Sequence, residues 1–178
     1  YIFEELKKIS QVRFAITKDV KYEVVDRPVG IPRFELGALQ IQSLFNSGII
    51  EPSENFGISE KEILPLTEKL MELANHSMQS KNQWMQIVSN AEMSCLALSQ
   101  ILSDKGIENI IGLDERTTRI LAEKPENMER LISERLHQRV SIDKEKLKEF
   151  SKFKFIRSTE LVYVAFKKGV LRIKGQKV

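Results

Sequence analysis

The sequence predicts an α/β fold built on a mostly parallel sheet, and three observations support it. Short apolar runs typical of strands alternate along the chain with longer stretches in which apolar residues recur at helical spacing. Such alternation is characteristic of βαβ units, whose strands run parallel. The chain has 178 residues, of which 42% are hydrophobic and 30% charged, a composition typical of one globular domain with a substantial core.

The first third of the chain gives five elements in the order helix, strand, helix, helix, strand. The strongest prediction is the helix "PRFELGALQIQSLFNSG", in which apolar residues recur helically and Gly48 stands where a helix stop is expected. The shorter helix before it ends ahead of Pro28, because the residue before a proline disfavours helical backbone. The remaining segments are a helix over 1–10, a strand over 12–16 and a short strand at 49–51.

Helices dominate the rest of the sequence. Ser59 and Glu62 form a capping-box pattern that opens a helix, and Pro65 within that helix predicts a kink or a split. The next helix covers about 90–105, "ENIIGL" is a buried-strand candidate, and "DERTTRILAE" is a helix that ends before Pro125. The last segments are helical stretches over 125–139 and 143–153, a strand "KFIR" and a final helix "STELVYVAFKKG".

Composition and charge narrow the class of protein. The net charge of +3 is too small to indicate nucleic-acid binding without local clustering of basic residues. Cys95 is the only cysteine, which excludes an intrachain disulfide and a zinc ribbon. The apolar runs are far shorter than the about 18 residues that a membrane helix needs, and the N-terminal residues do not resemble a signal peptide. We therefore expect a cytoplasmic protein with no membrane partner.

Two acidic residues are candidates for a metal site. Asp114 follows the strand candidate "ENIIGL", and parallel α/β sheets bind ligands at the carboxyl ends of their strands. Glu92 lies in the first turn of a helix, where free N–H groups stabilise a carboxylate. Together they would form a hard-oxygen site suited to Mg²⁺ or Mn²⁺. The alternatives are helix capping or solvation at the surface, and we expect Glu115 to be a solvated first-turn acid.

Three segments form an ordered set of motifs. "AEMSCLAL" is similar to G-E-A-E-x-x-A-L, "IIGLDERTTRILAE" to apolar-D-[DE]-R-x-x-R-x-x-A, and "FIRSTELVYVAFKKGVL" to G-T-x-G-x-L-x-x-A-x-x-x-G. In this order they resemble the PIN-domain family of archaeal and bacterial ribonuclease-like proteins. The resemblance implies a single three-layer α/β/α domain over residues 1–171, followed by a basic tail over 172–178. It also implies a divalent-metal-dependent endoribonuclease that cleaves phosphodiester bonds of RNA with Mg²⁺ or Mn²⁺.

The resemblance assigns roles to individual positions. Glu92 and Asp114 match the family's metal-binding catalytic acids, and Ser158 falls where a threonine or an acid assists the site. Arg116 and Arg119 can project to one side of the helix that follows Asp114, where they would bind the phosphates of nucleic acid. The alternative is that these arginines form salt bridges to the neighbouring acids.

The sequence departs from the family pattern at four positions and at its start. Ala91 replaces the usual glycine, Ser94 replaces the second glutamate, and two charged residues, Arg157 and Glu160, stand where the family often has glycine. PIN domains begin with a strand that ends in aspartate, and we expect that strand to be missing ahead of Tyr1, because Tyr1 already starts inside a helix. The departures favour an alternative function, a non-catalytic PIN-like module that binds RNA or a protein.

Partners follow from the same resemblance. RNA is the expected partner, and a homodimer or an antitoxin-like protein is a further candidate, since the helix "FELGALQIQSLF" could pack on another chain. Trp84 is expected to be a core anchor, with base stacking as the alternative. The arginines of "ERLISERLHQR" are expected on a solvated helix face, with binding of the RNA backbone as the alternative.

Overall fold

The computed structural model describes residues 2–171, so the predicted basic tail over 172–178 lies outside the described residues. Contacts within the chain divide it into two compact units. The first unit comprises residues 2–57 and 156–171, and the second unit comprises Ile58–Phe155. Helices and strands alternate in the described residues, which confirms the predicted α/β class.

The elements are numbered in chain order. The helices are α1 (Ile2–Ser10), α2 (Lys18–Lys21), α3 (Pro32–Asn46), α4 (Glu60–Asn75), α5 (Asn90–Asp104), α6 (Arg116–Glu123), α7 (Met128–Leu136), α8 (Lys144–Leu147) and α9 (Ser158–Lys167). The strands are β1 (Phe14–Ile16), β2 (Ile50–Pro52), β3 (Met78–Ser80), β4 (Gln83–Trp84), β5 (Ile111–Gly112), β6 (Val140–Ile142) and β7 (Phe155–Ile156). Helix α2 continues as a π-helical turn over Tyr22–Asp26, and the turn that follows starts at Pro28.

The first unit contains a parallel strand pair and a buried ion cluster. Strands β1 and β2 run parallel, with Phe14 opposite Ile50. Glu51 lies on β2 with an 11% exposed side chain and accepts hydrogen bonds from Lys7 at 2.9 Å and from Arg13 at 2.6 Å. Hydrogen bonding to Arg13 is the main reason why the pKa of Glu51 falls to about 2. The cluster therefore ties α1, the start of β1 and β2 together electrostatically.

The second unit is organised around the packed pair α4 and α5 and a three-stranded antiparallel sheet. Ser59 and Glu62 form the predicted capping box at the start of α4. The sheet order is β4-β3-β6, with Gln79 of β3 opposite Trp84 and Ser141. The core of this unit is formed by fully buried aliphatic, methionine and phenylalanine side chains, which include Ile58, Ile63, Leu70, Met78, Met93, Leu96, Leu121, Met128, Leu147 and Phe150.

The sheets differ from the predicted single, mostly parallel sheet. Within residues 2–171 the strands form three small sheets, and the largest is antiparallel. Its members β3, β4 and β6 were not predicted, because each has only two or three residues and therefore little periodic signal of its own, and β6 pairs with β3 across a long stretch of chain. A three-layer arrangement around one central sheet is therefore not confirmed, whereas the parallel pairing of β1 with β2 agrees with the prediction.

Two local predictions also differ from the structure. Helix α4 runs without a break through Pro65, so the predicted split is wrong, whereas the kink expected as its alternative stays a prediction. The buried strand "ENIIGL" is reduced to Ile111 and Gly112, and Ile110 beside it is 55% exposed. Ile111 donates its N–H to the carbonyl of Lys154 at 2.9 Å. Among the described residues, no helix is both long enough and apolar enough to cross a bilayer.

Candidate acidic site

Glu92 is held at the first turn of α5 by a reciprocal pair of hydrogen bonds. Oε2 of Glu92 accepts the backbone N–H of Ser89 at 2.8 Å, and Oγ of Ser89 accepts the backbone N–H of Glu92 at 3.3 Å. A serine followed three residues later by glutamate is the sequence signature of this capping box. The position of Glu92 at a helix start is therefore as predicted, and its capping role is the alternative considered above.

Glu115 caps the start of α6. It is the residue immediately before the helix, and its Oε2 accepts the backbone N–H of Thr118 at 2.6 Å. The cap is therefore Glu115 and not Asp114, which corrects the expectation that Glu115 is only a solvated first-turn acid. Asp114 lies one residue further out and is exposed.

Thr118 connects the two carboxylates. Its hydroxyl donates to Oε2 of Glu92 at 3.1 Å, while its backbone N–H is bound by Glu115. Thr118 is fully buried, with 0% of its surface exposed, so its polar groups have to be satisfied within the protein. The starts of α5 and α6 thus converge on one threonine in the core of the second unit.

The two carboxylates respond differently to this environment. Partial burial raises the pKa of Glu92, and the charge of Glu115 raises it further, although hydrogen bonds from Ser89 and Thr118 act in the opposite direction. Burial alone would also raise the pKa of Glu115, but hydrogen bonds from Thr118 and Thr117 outweigh burial and lower it. The environment therefore favours the ionised form of Glu115 and disfavours the ionised form of Glu92.

The remaining predicted site residues occupy varied environments. Arg116 is exposed at the start of α6. Arg119 is half-buried, and its Nη2 lies 3.3 Å from Oε2 of Glu123 on the same helix. Its Nε–H is buried and has no hydrogen-bond partner in residues 2–171. Ser158 is the exposed first residue of α9 and belongs to the first unit, whereas Glu92 and Asp114 belong to the second.

The positions that depart from the PIN pattern have structural partners here. Ser94 is completely buried, and its hydroxyl donates to the carbonyl of Ala91 at 2.9 Å. Arg157 and Glu160 meet at the start of α9, where Oε1 of Glu160 lies 2.7 Å from Nη2 of Arg157 and Oε2 accepts the N–H of Arg157 at 2.8 Å. These residues stabilise helix α5 and the start of α9 rather than adding acids to a site.

The donor chemistry of the acidic site suits a hard divalent cation. Carboxylate oxygens are among the ligands that Mg²⁺ and Mn²⁺ prefer, and Thr118 brings the carboxylates of Glu92 and Glu115 to one place. The described residues contain no group of three or more Asp, Glu, His or Cys side chains arranged to hold a metal. Two converging carboxylates would hold a hydrated ion weakly, with several of its waters retained.

Trp84 is exposed, not buried. Half of its surface, 50%, is accessible on β4, so the expectation that it anchors the core is wrong.

Comparison with protein-family models, with curated proteins and with solved structures finds no match to this chain.

Proposed function

We propose that this chain is a divalent-metal-dependent endoribonuclease of PIN type. The observation that carries the proposal is the convergence of Glu92 and Glu115 on Thr118 at the starts of two helices. A partly buried carboxylate whose pKa is raised beside a second carboxylate is the kind of perturbed pair that marks functional sites. The three-layer α/β/α arrangement of PIN domains is part of this proposal.

Glu92 and Asp114 are the residues that would hold Mg²⁺ or Mn²⁺. Asp114 adjoins the Glu115 cap in sequence and is exposed, so its ionised carboxylate carries little desolvation cost. Glu115 lends negative charge to the same region. When bound, the ion would polarise the phosphodiester and lower the pKa of a coordinated water.

The negative charges of Glu92 and Glu115 would favour binding of a cation. At neutral pH the charge of Glu115 opposes ionisation of Glu92, and a bound cation would reverse the sign of that interaction. Arg116 and Arg119, which follow on α6, would bind phosphate oxygens of the RNA, since a guanidinium presents donors that match phosphate geometry.

Cleavage of single-stranded RNA in Mn²⁺ tests this function. We expect the wild-type chain to cleave in Mn²⁺ and not in EDTA, and we expect Glu92→Gln and Asp114→Asn to lose most of the activity. Glu129→Gln, an exposed acid of α7 in the same unit, is the matched control and should cleave like wild type. Equal cleavage by all four proteins would contradict the assignment.

A second candidate function is a non-catalytic PIN-like module that binds RNA or a protein. It is favoured by the observation that the hydrogen bonds described above for Glu92 and Glu115 all stabilise helix starts or engage Thr118. RNA binding that persists in EDTA, together with an absence of cleavage in Mn²⁺, would identify this module.

A further inference from the structure

The tryptophan of this chain is exposed on an edge strand. The chain contains one tryptophan, and 50% of its surface is accessible. Trp84 lies on β4, which is the outer strand of the order β4-β3-β6. Burial of so large a ring in the core would stabilise the fold. Trp84 does not contribute to the core of its unit in this way. Its exposed indole surface is therefore available to a ligand.

A shallow, open groove lies beside the indole. Its volume is about 330 Å³, near the lower end of the range for small-molecule sites, roughly 300–1,000 Å³. Its walls come from the end of α4 and from β4 and the residues after it, namely Met71, Glu72, Asn75, His76, Trp84, Met85 and Gln86. The two methionines among these residues, Met71 and Met85, provide apolar and adaptable surface. Glu72 and Gln86 are exposed polar side chains that can accept or donate hydrogen bonds at the edge of a planar ligand.

The indole is held in a fixed orientation by its neighbours. The His76 ring meets it edge-on, with centroids 5.4 Å apart and an interplanar angle of 84°. Nζ of Lys146 lies 5.2 Å from the indole centroid and donates to the carbonyl of His76 at 2.9 Å. Asn75 accepts the N–H of Ile87 at 2.8 Å, which fixes the wall on that side. A rigid aromatic surface loses little entropy when a second ring stacks on it.

Basic residues lie on both sides of Trp84 along the sheet. Lys81 forms the hairpin tip together with Asn82, both with positive φ, as a two-residue turn requires. Arg139 precedes β6 next to that tip, since the hydroxyl of Ser80 donates to the carbonyl of Arg139 at 3.3 Å. Lys146 lies beside Trp84 itself. The opposing charges are Glu72 in the wall and Asp143, whose Oδ2 is 3.9 Å from Nζ of Lys146.

We propose that the open groove beside Trp84 binds a nucleobase of single-stranded RNA, stacked on the indole, with the flanking phosphates contacted by Lys81, Arg139 and Lys146. An aromatic surface between cations is the arrangement by which proteins bind single strands without sequence readout. The inference deepens the proposed function, and it rests on that function only in taking RNA as the substrate. The site lies on β4 and α4 of the second unit and uses none of the acids of the cleavage site.

Trp84 provides its own optical probe. Because the chain has a single tryptophan, intrinsic tryptophan fluorescence reports on this residue alone. In EDTA, where metal-dependent cleavage is suppressed, titration with an oligouridylate of about ten nucleotides should quench the emission saturably. Uridine monophosphate should need at least about tenfold higher concentration, since its single phosphate cannot contact all of the flanking cations. If the oligonucleotide does not change the emission, the proposal is overturned. If the mononucleotide quenches the emission at the same concentration as the oligonucleotide, the claim that the site binds a strand is overturned.

Variants separate stacking from charge. By anisotropy of a labelled oligonucleotide, Trp84→Ala should weaken binding about tenfold and Trp84→Phe should recover part of that loss. Tyr163→Ala is the matched aromatic control, because Tyr163 is 59% exposed and has Lys167 5.6 Å from its ring centroid. Lys146→Gln should reduce the slope of log affinity against log salt by about one, whereas Lys152→Gln, another exposed lysine of the unit, should leave the slope unchanged.

The outcome is distinguishable from that of the cleavage assay. Glu92→Gln should bind the oligonucleotide with wild-type affinity while losing cleavage. If no protein cleaves RNA but Trp84→Ala still weakens binding, the proposed function fails and this inference stands. If Trp84→Ala binds RNA as wild type does while Tyr163→Ala also has no effect, the proposed stacking site is contradicted whatever the cleavage result.

Discussion

Oγ1 of Thr118 lies 3.1 Å from Oε2 of Glu92, and it is the hydrogen bond that connects helix α6 to the carboxylate at the start of α5. Through the backbone N–H of the same threonine, the connection continues to Glu115. Removal of the hydroxyl should therefore change both the stability of the unit and the acidity of Glu92.

The Thr118→Val substitution tests this hydrogen bond. It keeps the buried shape and removes the donor, so we expect a loss of about 1 kcal/mol in the free energy of unfolding. The pKa of Glu92 should rise further, because the hydrogen bond from Thr118 lowers it in the wild type. Urea unfolding and NMR titration of the Glu92 carboxyl measure the two effects.

Thr67→Val is the matched control for that substitution. Thr67 is also buried, and its hydroxyl donates to the carbonyl of Ile63 one turn earlier in α4. Its replacement should leave the pKa of Glu92 unchanged. An unaltered Glu92 titration in Thr118→Val would mean that the hydroxyl does not act on the carboxylate.

Substitutions of Glu92 itself separate its capping role from its charge. Glutamine can still accept the N–H of Ser89, so Glu92→Gln should keep the cap, while Glu92→Ala should lose about 1 kcal/mol. A raised pKa in the folded state means that the contribution of Glu92 to stability is fully present below its unfolded pKa and is lost as pH rises through the folded pKa. The stability of Glu92→Gln relative to wild type should therefore increase with pH across that interval.

Thermal or urea unfolding of the two Glu92 variants over a pH series provides the measurement. The difference between Glu92→Gln and Glu92→Ala reports the cap and should persist at every pH. A Glu92→Gln protein whose stability relative to wild type falls as pH rises would contradict the sign derived from burial and from the charge of Glu115.

The Glu51 cluster predicts the opposite pH dependence in the first unit. The pKa of Glu51 is lowered from 4.5 to about 2, so its contribution is fully present above pH 4.5 and is lost as pH falls towards about 2. We expect Glu51→Gln to be destabilised by about 2 kcal/mol near neutral pH, since one carboxylate serves both Lys7 and Arg13. Urea unfolding of both proteins measures the difference, which should shrink as the solution is acidified through this interval.

Glu54→Gln is the control for Glu51. Glu54 is an exposed acid in the turn after β2, and its replacement should change stability little at any pH. A wild-type protein that keeps its full advantage over Glu51→Gln at the acid end of the series would show that the ion cluster does not set the pKa of Glu51.

The helices were predictable because their signals are local. Ser59 with Glu62, and the glycine at 48 after α3, are patterns within a few residues that fix where a helix starts or ends. The antiparallel sheet was not predictable in the same way. Its register joins Met78 to Ile142, and the turn that precedes β4 is made by Lys81 and Asn82 without the glycine that usually signals a hairpin.

The candidate site was predicted in part. Glu92 could be placed at a helix start because a serine stands three residues before it. The capping role of Glu115 was not predicted, because the helix was expected to start at Asp114, whereas α6 starts two residues later at Arg116 and is capped by Glu115. Its spacing of three residues ahead of Thr118 is a signal that could have identified it. The exposure of Trp84 depends on the edge position of β4, which no local pattern specifies.

The central claim, that Glu92 is a metal-binding acid, is tested most directly by measuring Mn²⁺ affinity in the wild type and in Glu92→Gln over a pH series. Electron paramagnetic resonance of the free ion measures that affinity. Protons and metal compete for the Glu92 carboxylate, so we expect wild-type affinity to rise as pH passes the raised pKa of Glu92. Glu92→Gln should bind much more weakly at every pH while it remains folded. Equal Mn²⁺ affinity in the two proteins, with no dependence on pH, would contradict the assignment of Glu92 as a metal-binding acid.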